Sequence, residues 1–329
     1  MLPRFLVEKA PKCGRKISRG GYSNVFIDEE ERIVIKQTPD LKKDNRLILR
    51  ESTILASNCH RNLLKLSGFC MNDDSFLLRY YEKSSLENCK ILSDDQKAII
   101  AYEIALGMNY LHEYHGIIHR DLKPGNILFD DQFHPIIADF GLSRVGADSM
   151  TIKRGTYMYL APEAYGQNYD NKVDVFSFGL ILYFLTGLKN PFHNCEINNE
   201  AEYYLEKYKS GAKLRNDSVL DKYLDRIPEN RPSFSKIIKE LEKDLVLLYP
   251  NMNIALFKQK KFEADLNQVY PDFLKNEKSI LQVVEDVSKG KIEDLFRLKK
   301  YYESKFHTND YSLCNEMIVN YYRETTNQH

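Results

Sequence analysis

The stretch His119–Asn126 has the sequence HRDLKPGN, and a short hairpin pattern separates it from Ala138–Gly141, which has the sequence ADFG. Together they contain a candidate general base, Asp121, and two side chains with oxygen atoms suited to a metal ion, Asn126 and Asp139, within twenty-one positions. A carboxylate can accept the proton of an attacking hydroxyl, and Mg²⁺ prefers hard oxygen ligands. These residue types are suited to metal-assisted acid–base chemistry.

The order and spacing of these residues resemble the catalytic loop and the D-F-G motif of the eukaryotic protein kinase family. The resemblance extends in continuous order over about residues 13–248, and His60–Cys70 resembles the same part of the tyrosine-kinase-like group of serine/threonine kinases. It implies a bilobal α+β protein kinase fold, with an antiparallel sheet and one helix in the N-lobe and a mainly helical C-lobe. The implied activity is transfer of the ATP γ-phosphoryl group to Ser/Thr hydroxyls of protein substrates, as in signal transduction.

The resemblance assigns the catalytic roles. Asp121 is the base, and Lys123, a residue typical of serine/threonine kinases at this position, is expected to contact the γ-phosphate. Asn126 and Asp139 are the expected Mg²⁺ ligands. His119 and Phe140 are expected to pack in the core and to take no part in acid–base chemistry.

The N-terminal part contains the matching nucleotide-binding motifs. Lys36 ends the strand pattern IVIK and is expected on the α- and β-phosphates, with Glu51 as its ion-pair partner. Ser18–Val25 resembles the glycine-rich loop, although Ser18 and Ser23 occupy the positions of two of its glycines. Gly20 and Gly21 of that loop are expected to contact ATP, Leu78 is the expected gatekeeper, and Tyr80 and Tyr81 belong to the expected hinge. The apolar residues expected around adenine are Ile17, Val25, Val34 and Leu128. For each of these four, ordinary core packing is an equally good interpretation.

The segment after the D-F-G motif resembles an activation segment that ends at Glu163 of an A-P-E motif. Arg120 and Arg144 are the expected phosphate pocket, and Ser149 and Thr151 are the favoured phosphorylation sites, because a phosphate forms charge-assisted hydrogen bonds with arginine.

Two acidic residues in this part of the chain have expected structural roles, also by resemblance. Glu163 is expected to pair with Arg231, and Asp174 is expected to brace the backbone of the catalytic loop.

Periodicity gives a coarse secondary structure. Residues 17–27 and 32–36 form a hairpin pattern, 41–57 a helix, and 63–70 and 76–81 two more strands. Residues 96–114 have the spacing of a long amphipathic helix, and further helices follow from Lys172 and from Glu200. We predict a lead at 1–12, a kinase domain at 13–248 with lobes at 13–81 and 82–248, and a helical C-terminal extension at 249–329.

Composition excludes several classes of protein. The 329 residues are 43% hydrophobic and 29% charged, which is typical of a folded globular protein. The 47 basic residues balance the 47 acidic ones, so no overall charge favours nucleic acid or a membrane surface. The six cysteines have no paired or metal-binding spacing, and the sequence shows neither a signal peptide nor a membrane span, so we expect a cytoplasmic location.

Two other hypotheses stay open. A pseudokinase, which binds nucleotide or partners without catalysis, is favoured by Ser18 and Ser23 alone. Alternatively, the region from Tyr249 onward is a protein-interaction module to which the kinase domain is tethered.

Overall fold

A computed structural model describes residues 6–7, 15–19, 24–37, 55, 60–70, 75–83, 85–89, 92–140, 143, 157–165, 169–187 and 219–266. The described residues divide into two compact units. The first contains those between 6 and 55 together with 63–81, and the second contains 60–62 and those from 82 to 266.

The first unit is a six-stranded sheet. Its strands are β1 (Leu6–Val7), β2 (Arg15–Arg19), β3 (Asn24–Asp28), β4 (Ile33–Gln37), β5 (Leu66–Cys70) and β6 (Ser75–Arg79). They lie in the order β1-β5-β6-β4-β3-β2, and every pair is antiparallel except β1 with β5. On the central strand, Ile35 is fully buried and packs with Leu77 of β6. The antiparallel sheet predicted for the N-lobe is confirmed.

Two details of the sheet differ from the sequence prediction. The pattern at 17–27 is not one strand but two, β2 and β3, which pair antiparallel with Arg19 opposite Asn24. Gly20 and Gly21 lie in the sequence between these two strands, outside the described residues. The predicted lead contains β1, which pairs parallel with β5 through Leu6 and Val7.

The second unit is mainly helical. Its helices are α1 (Asp94–Asn109), α2 (Lys172–Leu185), α3 (Phe234–Leu248) and α4 (Ile254–Leu266), and a π-helical turn, Tyr110–Tyr114, continues α1. A small hairpin of β7 (Ile127–Phe129) and β8 (Pro135–Ile137) completes it. The predicted helical C-lobe is confirmed, and within the described residues no helix is long and apolar enough to cross a membrane.

Helix α1 begins with a capping box, in which Ser93 and Gln96 exchange hydrogen bonds between side chain and backbone. We predicted an amphipathic helix here, but almost every residue from Ala98 to Asn109 is buried. The reason is that α2, α3, α4 and β8 all pack against it. A helix covered on all sides has no solvent face to set its polar pattern.

Helix α2, which begins at Lys172 as predicted, is buried along nearly its whole length. It lies so close to Tyr223 that a Cβ atom at Gly179 would be 2.7 Å from that residue's Cβ. The predicted helices at 41–57 and from Glu200 lie outside the described residues, apart from the helical Leu55. The predicted domain boundaries, including the extension at 249–329, stay predictions.

Candidate active site

Three of the predicted catalytic residues lie together in the second unit. The Lys123 Nζ donates hydrogen bonds to both carboxylate oxygens of Asp121, at 3.1 and 3.0 Å. The Asn126 Nδ2 donates to the Asp121 backbone oxygen at 2.7 Å and to its Oδ2 at 2.9 Å. The Asp121 side chain is 2% exposed and that of Lys123 is 25% exposed. The candidate base is therefore held in a fixed orientation by a cation and an amide.

The local chain path follows from the sequence around these residues. Lys123 is extended, and Pro124–Asn126 forms a 3₁₀ turn that proline favours at its first position. The turn leads into β7, and the β7–β8 hairpin returns the chain to the same place. There the Ala138 amide donates to the Asn126 backbone oxygen at 2.9 Å. Asp139, the next residue, is thus placed close to the catalytic loop.

Two residues of this region have strained backbones. Arg120 has a φ of 70° and Asp139 a φ of 64°, values that residues other than glycine rarely adopt. Such strain costs about 1–3 kcal/mol at each residue and persists only where the surroundings enforce it. Such strain is common at active sites. Here Arg120 directly precedes the candidate base Asp121, and Asp139 is itself a candidate metal ligand.

Asp174 of α2 provides part of that enforcement, as predicted. Its Oδ2 accepts hydrogen bonds from the His119 amide at 2.7 Å and from the His112 ring at 2.8 Å, and its Oδ1 accepts one from the Arg120 amide at 2.8 Å. Burial alone would raise the pKa of Asp174, but the hydrogen bond and charge of His112, the charge of His119 and the Arg120 amide together lower it. Asp174 is therefore an ionised brace under the catalytic loop.

His119 and Phe140 pack as predicted. Both are buried, and their ring centroids are 5.3 Å apart. The His119 Nε2 is 3.1 Å from the Ala138 backbone oxygen, so the imidazole links the catalytic loop to the D-F-G segment.

The predicted ion pair of Arg231 with Glu163 is present and bidentate. The Arg231 Nη2 donates to Glu163 Oε2 at 3.1 Å, and its Nη1 donates to Oε1. Arg231 is 1% exposed, and it also donates to the backbone oxygens of Asp225 and Lys172. This pair fixes the end of the activation segment to the helical unit.

A buried polar network that the sequence did not predict supports the β7–β8 hairpin. Glu103 of α1, 1% exposed, accepts a hydrogen bond from Asn62 and contacts the His134 Nδ1 at 2.8 Å. Asn62 also donates to the Pro135 backbone oxygen at 2.9 Å. No short-range pattern could reveal it, because 41 positions separate Asn62 from Glu103 and another 31 separate Glu103 from His134.

In the first unit, the sheet register brings several predicted nucleotide-binding residues together. Val25 is paired with Lys36 across β3 and β4, and Val34 is paired with Leu78 across β4 and β6. Leu78 is 6% exposed, whereas Val25, Val34 and Lys36 are half-buried. The three half-buried residues retain surface that a ligand could cover.

The predicted hinge leaves the sheet after β6. The Tyr80 amide donates to the Arg32 backbone oxygen at 3.0 Å, so it is already engaged within the protein. Tyr80 and Tyr81 are both half-buried. Leu128, the expected residue on the other side of adenine, is half-buried on β7 of the second unit.

The structure leaves several predicted site residues without a description. Gly20, Gly21, Glu51, Arg144, Ser149 and Thr151 lie outside the described residues, and only the backbone of Ile17 and Ser18 is described, in β2. Arg120 is half-buried with its guanidinium 5.5 Å from the centre of the Tyr169 ring.

The oxygen donors fit Mg²⁺ held together with a nucleotide. The Asn126 Nδ2 donates hydrogen bonds to Asp121, so the Oδ1 of the same side chain is the atom that could bind a metal ion. Asp139 would add a carboxylate. The described residues contain no group of three or more His, Cys, Asp or Glu side chains placed to form a complete metal cage. Mg²⁺ typically takes one or two protein ligands and completes its shell with phosphates and water.

Comparison with known proteins agrees with this geometry. The family model described as "Protein kinase domain" matches residues 12–250. The chain is 31% identical to cysteine-rich receptor-like protein kinase 36 of Arabidopsis thaliana over 262 residues, 72% of this chain and 38% of that protein. It is 30% identical to rust resistance kinase Lr10 of Triticum aestivum over 289 residues, 72% of this chain and 45% of that protein.

A human protein, serine/threonine-protein kinase TNNI3K, is 34% identical over 224 residues, 62% of this chain and 27% of that protein. The chain thus spans less than half the length of each of these three relatives. The family model covers well over half of the chain, and its match contains the catalytic loop, the brace and the ion pair described above. The chain therefore belongs to the eukaryotic protein kinase family.

Proposed function

We propose that this chain is an active, Mg²⁺- and ATP-dependent protein serine/threonine kinase. The observation that carries the proposal is the arrangement around Asp121, whose buried carboxylate is held by both Lys123 and Asn126. A pseudokinase keeps the fold but has no need of an oriented base, so complete retention of this constellation favours catalysis.

The residues of the chain would divide the work of phosphoryl transfer among them. Asp121 would orient the acceptor hydroxyl and accept its proton, since a carboxylate held by two donors presents its remaining lone pairs in fixed directions. Lys123 would hold a positive charge beside that hydroxyl, where negative charge gathers. Asn126 and Asp139 would hold Mg²⁺, which, when bound, neutralises the charge of the ATP phosphates. Lys36, with Glu51 as its partner, would position the phosphates from the sheet.

Preference for serine and threonine is supported by Lys123 and by the names of relatives. Two of them, from Arabidopsis thaliana and Homo sapiens, are named serine/threonine-protein kinases. Membership of the tyrosine-kinase-like group is part of the same proposal.

Labelled ATP with Mg²⁺ and a generic acceptor protein tests this function. We expect transfer by the native chain and a loss of at least about 100-fold in Asp121→Asn and in Asp139→Ala. Asp221→Ala, a change at an exposed aspartate of the same unit, is the control that should keep native activity. Nucleotide binding is measured in parallel. A native chain that binds ATP and transfers nothing is a pseudokinase, and equal transfer by native and Asp139→Ala protein would also refute the proposal.

Regulation by phosphate is a second part of the proposal. Phosphorylation of Ser149 or Thr151 would give Arg120 and Arg144 an anion to bind and would order the activation segment. Mass spectrometry of the active protein checks this. Finding neither residue modified, together with full activity of both alanine variants, would contradict it. The cytoplasmic location and a protein partner for the C-terminal helical region stay predictions.

A further inference from the structure

A histidine in the turn of the β7–β8 hairpin is bound to the buried helix α1. The His134 Nδ1 lies 2.8 Å from the Glu103 Oε1 and 2.9 Å from its Oε2. The Glu103 side chain is 1% exposed, whereas that of His134 is 22% exposed and stays in contact with solvent. A carboxylate only accepts hydrogen bonds, so the Nδ1 donates to it. The hairpin is therefore attached to α1 by an imidazole that can exchange protons with water.

The backbone of His134 is fixed by the turn itself. The Asp130 Oδ1 accepts hydrogen bonds from the Gln132 amide at 2.9 Å and from the His134 amide at 2.8 Å. The Asp130 amide donates to the His134 backbone oxygen at 3.1 Å. Phe133 has a φ of 65°, in the left-handed region that bulky residues rarely occupy. Because the turn is closed this tightly, a change in the Glu103 contact is passed to the strand that follows.

That strand leads to the candidate metal ligand. β8 begins directly after His134, and Asp139 follows its last residue, Ile137, by two positions. The β8 backbone is bound by β7 and by the Asn62 backbone oxygen, which accepts from the Ile137 amide at 2.8 Å. The placement of Asp139 therefore depends on how firmly the hairpin is anchored at α1 and at Asn62.

The groups that surround the His134 ring favour a cation there. Glu103 faces it from α1, and Asp130 lies in its own turn. The segment 60–62 contributes the neutral amide of Asn62, which binds Glu103 at 3.4 Å. Lys83 also contacts the turn, where its Nζ donates to a backbone oxygen. Histidine side chains ordinarily change charge between pH 5 and 8, which makes this anchor sensitive to pH.

Protonation changes the strength of the anchor. A charge-assisted hydrogen bond from an imidazolium to a carboxylate is about twice as strong as one from a neutral donor. When the imidazole is neutral, the buried Glu103 carboxylate keeps only neutral donors among the described residues, namely the imidazole and the Asn62 amide. A buried charge without a cation is costly, so the hairpin is held less firmly as the pH rises.

We propose that Glu103 and His134 form a pH-dependent positioning pair, in which protonation of His134 strengthens the hairpin anchor and favours binding of Mg²⁺ and ATP at Asp139. This inference rests on the proposed binding of Mg²⁺ and ATP by the chain. Neither residue is a ligand of the metal, and both act through the placement of Asp139.

Calorimetric titration of the full chain with ATP, with and without Mg²⁺, tests the pair. The quantity measured is the ratio of the ATP Kd without Mg²⁺ to the Kd with Mg²⁺, at about pH 6 and about pH 8. Comparing native and variant protein at the same pH removes the protonation of ATP itself from the result. His134→Gln keeps a neutral donor, so its ratio should be about three- to five-fold below the native ratio at the lower pH and equal to it at the higher pH.

Further variants separate charge from structure. Glu103→Gln should show the same pH-dependent loss as His134→Gln, and the double variant should lose nothing more, because either change alone removes the ion pair. His115→Phe is the matched control. Burial lowers the pKa of His115 to about 3, so this histidine stays neutral over the range tested, and its replacement should keep the native ratio at both pH values. Melting temperatures are measured on every variant.

The outcomes distinguish this inference from the function beneath it. Lower melting temperatures for His134→Gln and Glu103→Gln with native Mg²⁺ ratios at both pH values would reveal a merely structural role and overturn the pair. An equal deficit of His134→Gln at both pH values would also overturn it, because the imidazole charge would then have no part. A native chain that binds ATP equally with and without Mg²⁺ overturns the proposed function as well. A native chain that gives the expected ratios but transfers no phosphate refutes the kinase activity alone.

Discussion

Replacement of Asp174 by alanine tests whether the strained catalytic loop is held from below. The carboxylate is fully buried and accepts three hydrogen bonds, from the His119 and Arg120 amides and from the His112 ring. Alanine removes the acceptor for all three donors at once. The two amides belong to the residues just before Asp121, so the same change releases the backbone that orients the candidate base.

The cost can be estimated from these contacts. Each hydrogen bond to a charged group contributes about 1.5–3 kcal/mol, but removing a buried charge also recovers several kcal/mol of desolvation free energy. Breaking one side of a buried ionic contact has a net cost of about 3–5 kcal/mol, which is a large part of the roughly 5–15 kcal/mol that stabilises a folded protein. For a unit of this size the melting temperature should fall by on the order of 10 °C. We also expect kcat to fall by about 10²-fold, the usual result of misplacing a catalytic group.

Urea unfolding followed by circular dichroism measures the stability, and the ATP-transfer assay measures kcat on the variant that remains folded. The pKa of Asp174 in the native protein is lowered from the ordinary value of 3.8. The stabilising contribution of this carboxylate is therefore complete well above pH 3.8 and is lost as the pH falls through the lowered native pKa. The difference between native and Asp174→Ala protein should therefore be constant at neutral pH and shrink in acid. Asp221→Ala is the exposed control. A loss below about 1 kcal/mol with native kcat would refute the reasoning.

Three other predictions concern the same unit. Glu163→Ala leaves the buried Arg231 guanidinium without its carboxylate and should lower the urea-unfolding free energy by about 3–5 kcal/mol; a loss under 1 kcal/mol would contradict this. Phe257→Ala in α4 removes a buried ring packed edge-on against Tyr102 at 6.0 Å and should cost about 3–5 kcal/mol, so an unchanged melting temperature would show that α4 adds nothing to the fold. Burial lowers the pKa of His115 to about 3, so stability should decline as pH falls from about 6.5 towards 3; His115→Phe should flatten that decline, and parallel curves would disprove it.

The catalytic loop could be predicted from sequence because its chemistry fixes residue types at fixed spacing. Asp121, Lys123 and Asn126 lie within six positions, and their mutual contacts follow from one turn. The roles of Asp174 and Glu163 could be carried over by resemblance alone. The distance along the chain from Glu163 to Arg231 shows that no local pattern would have found that pair.

Other features depend on tertiary packing and left no local signal. Two residues of β1 carry too little pattern to predict a strand, and their parallel pairing with β5 is set by the sheet. Helix α1 has apolar residues at helical spacing, yet its full burial depends on α4, which lies entirely beyond the end of the family match at residue 250. The Asn253 amide donates to Asp95 at the start of α1, and Phe257 packs on Tyr102, so the described segment 251–266 contributes to this unit's core.

The anchors of the site lie on the two central helices of the helical unit, and this explains how strained loops can be stable. Asp174 of α2 binds the backbone before the candidate base, and Glu103 of α1, through His134 and Asn62, binds the hairpin that delivers Asp139. Both carboxylates are buried, so each can tolerate little displacement without leaving donors unpaired. Strain of about 1–3 kcal/mol at each positive φ is smaller than the cost of breaking either anchor. The loops therefore keep their conformation because relaxing it would require disrupting the helical core beneath them.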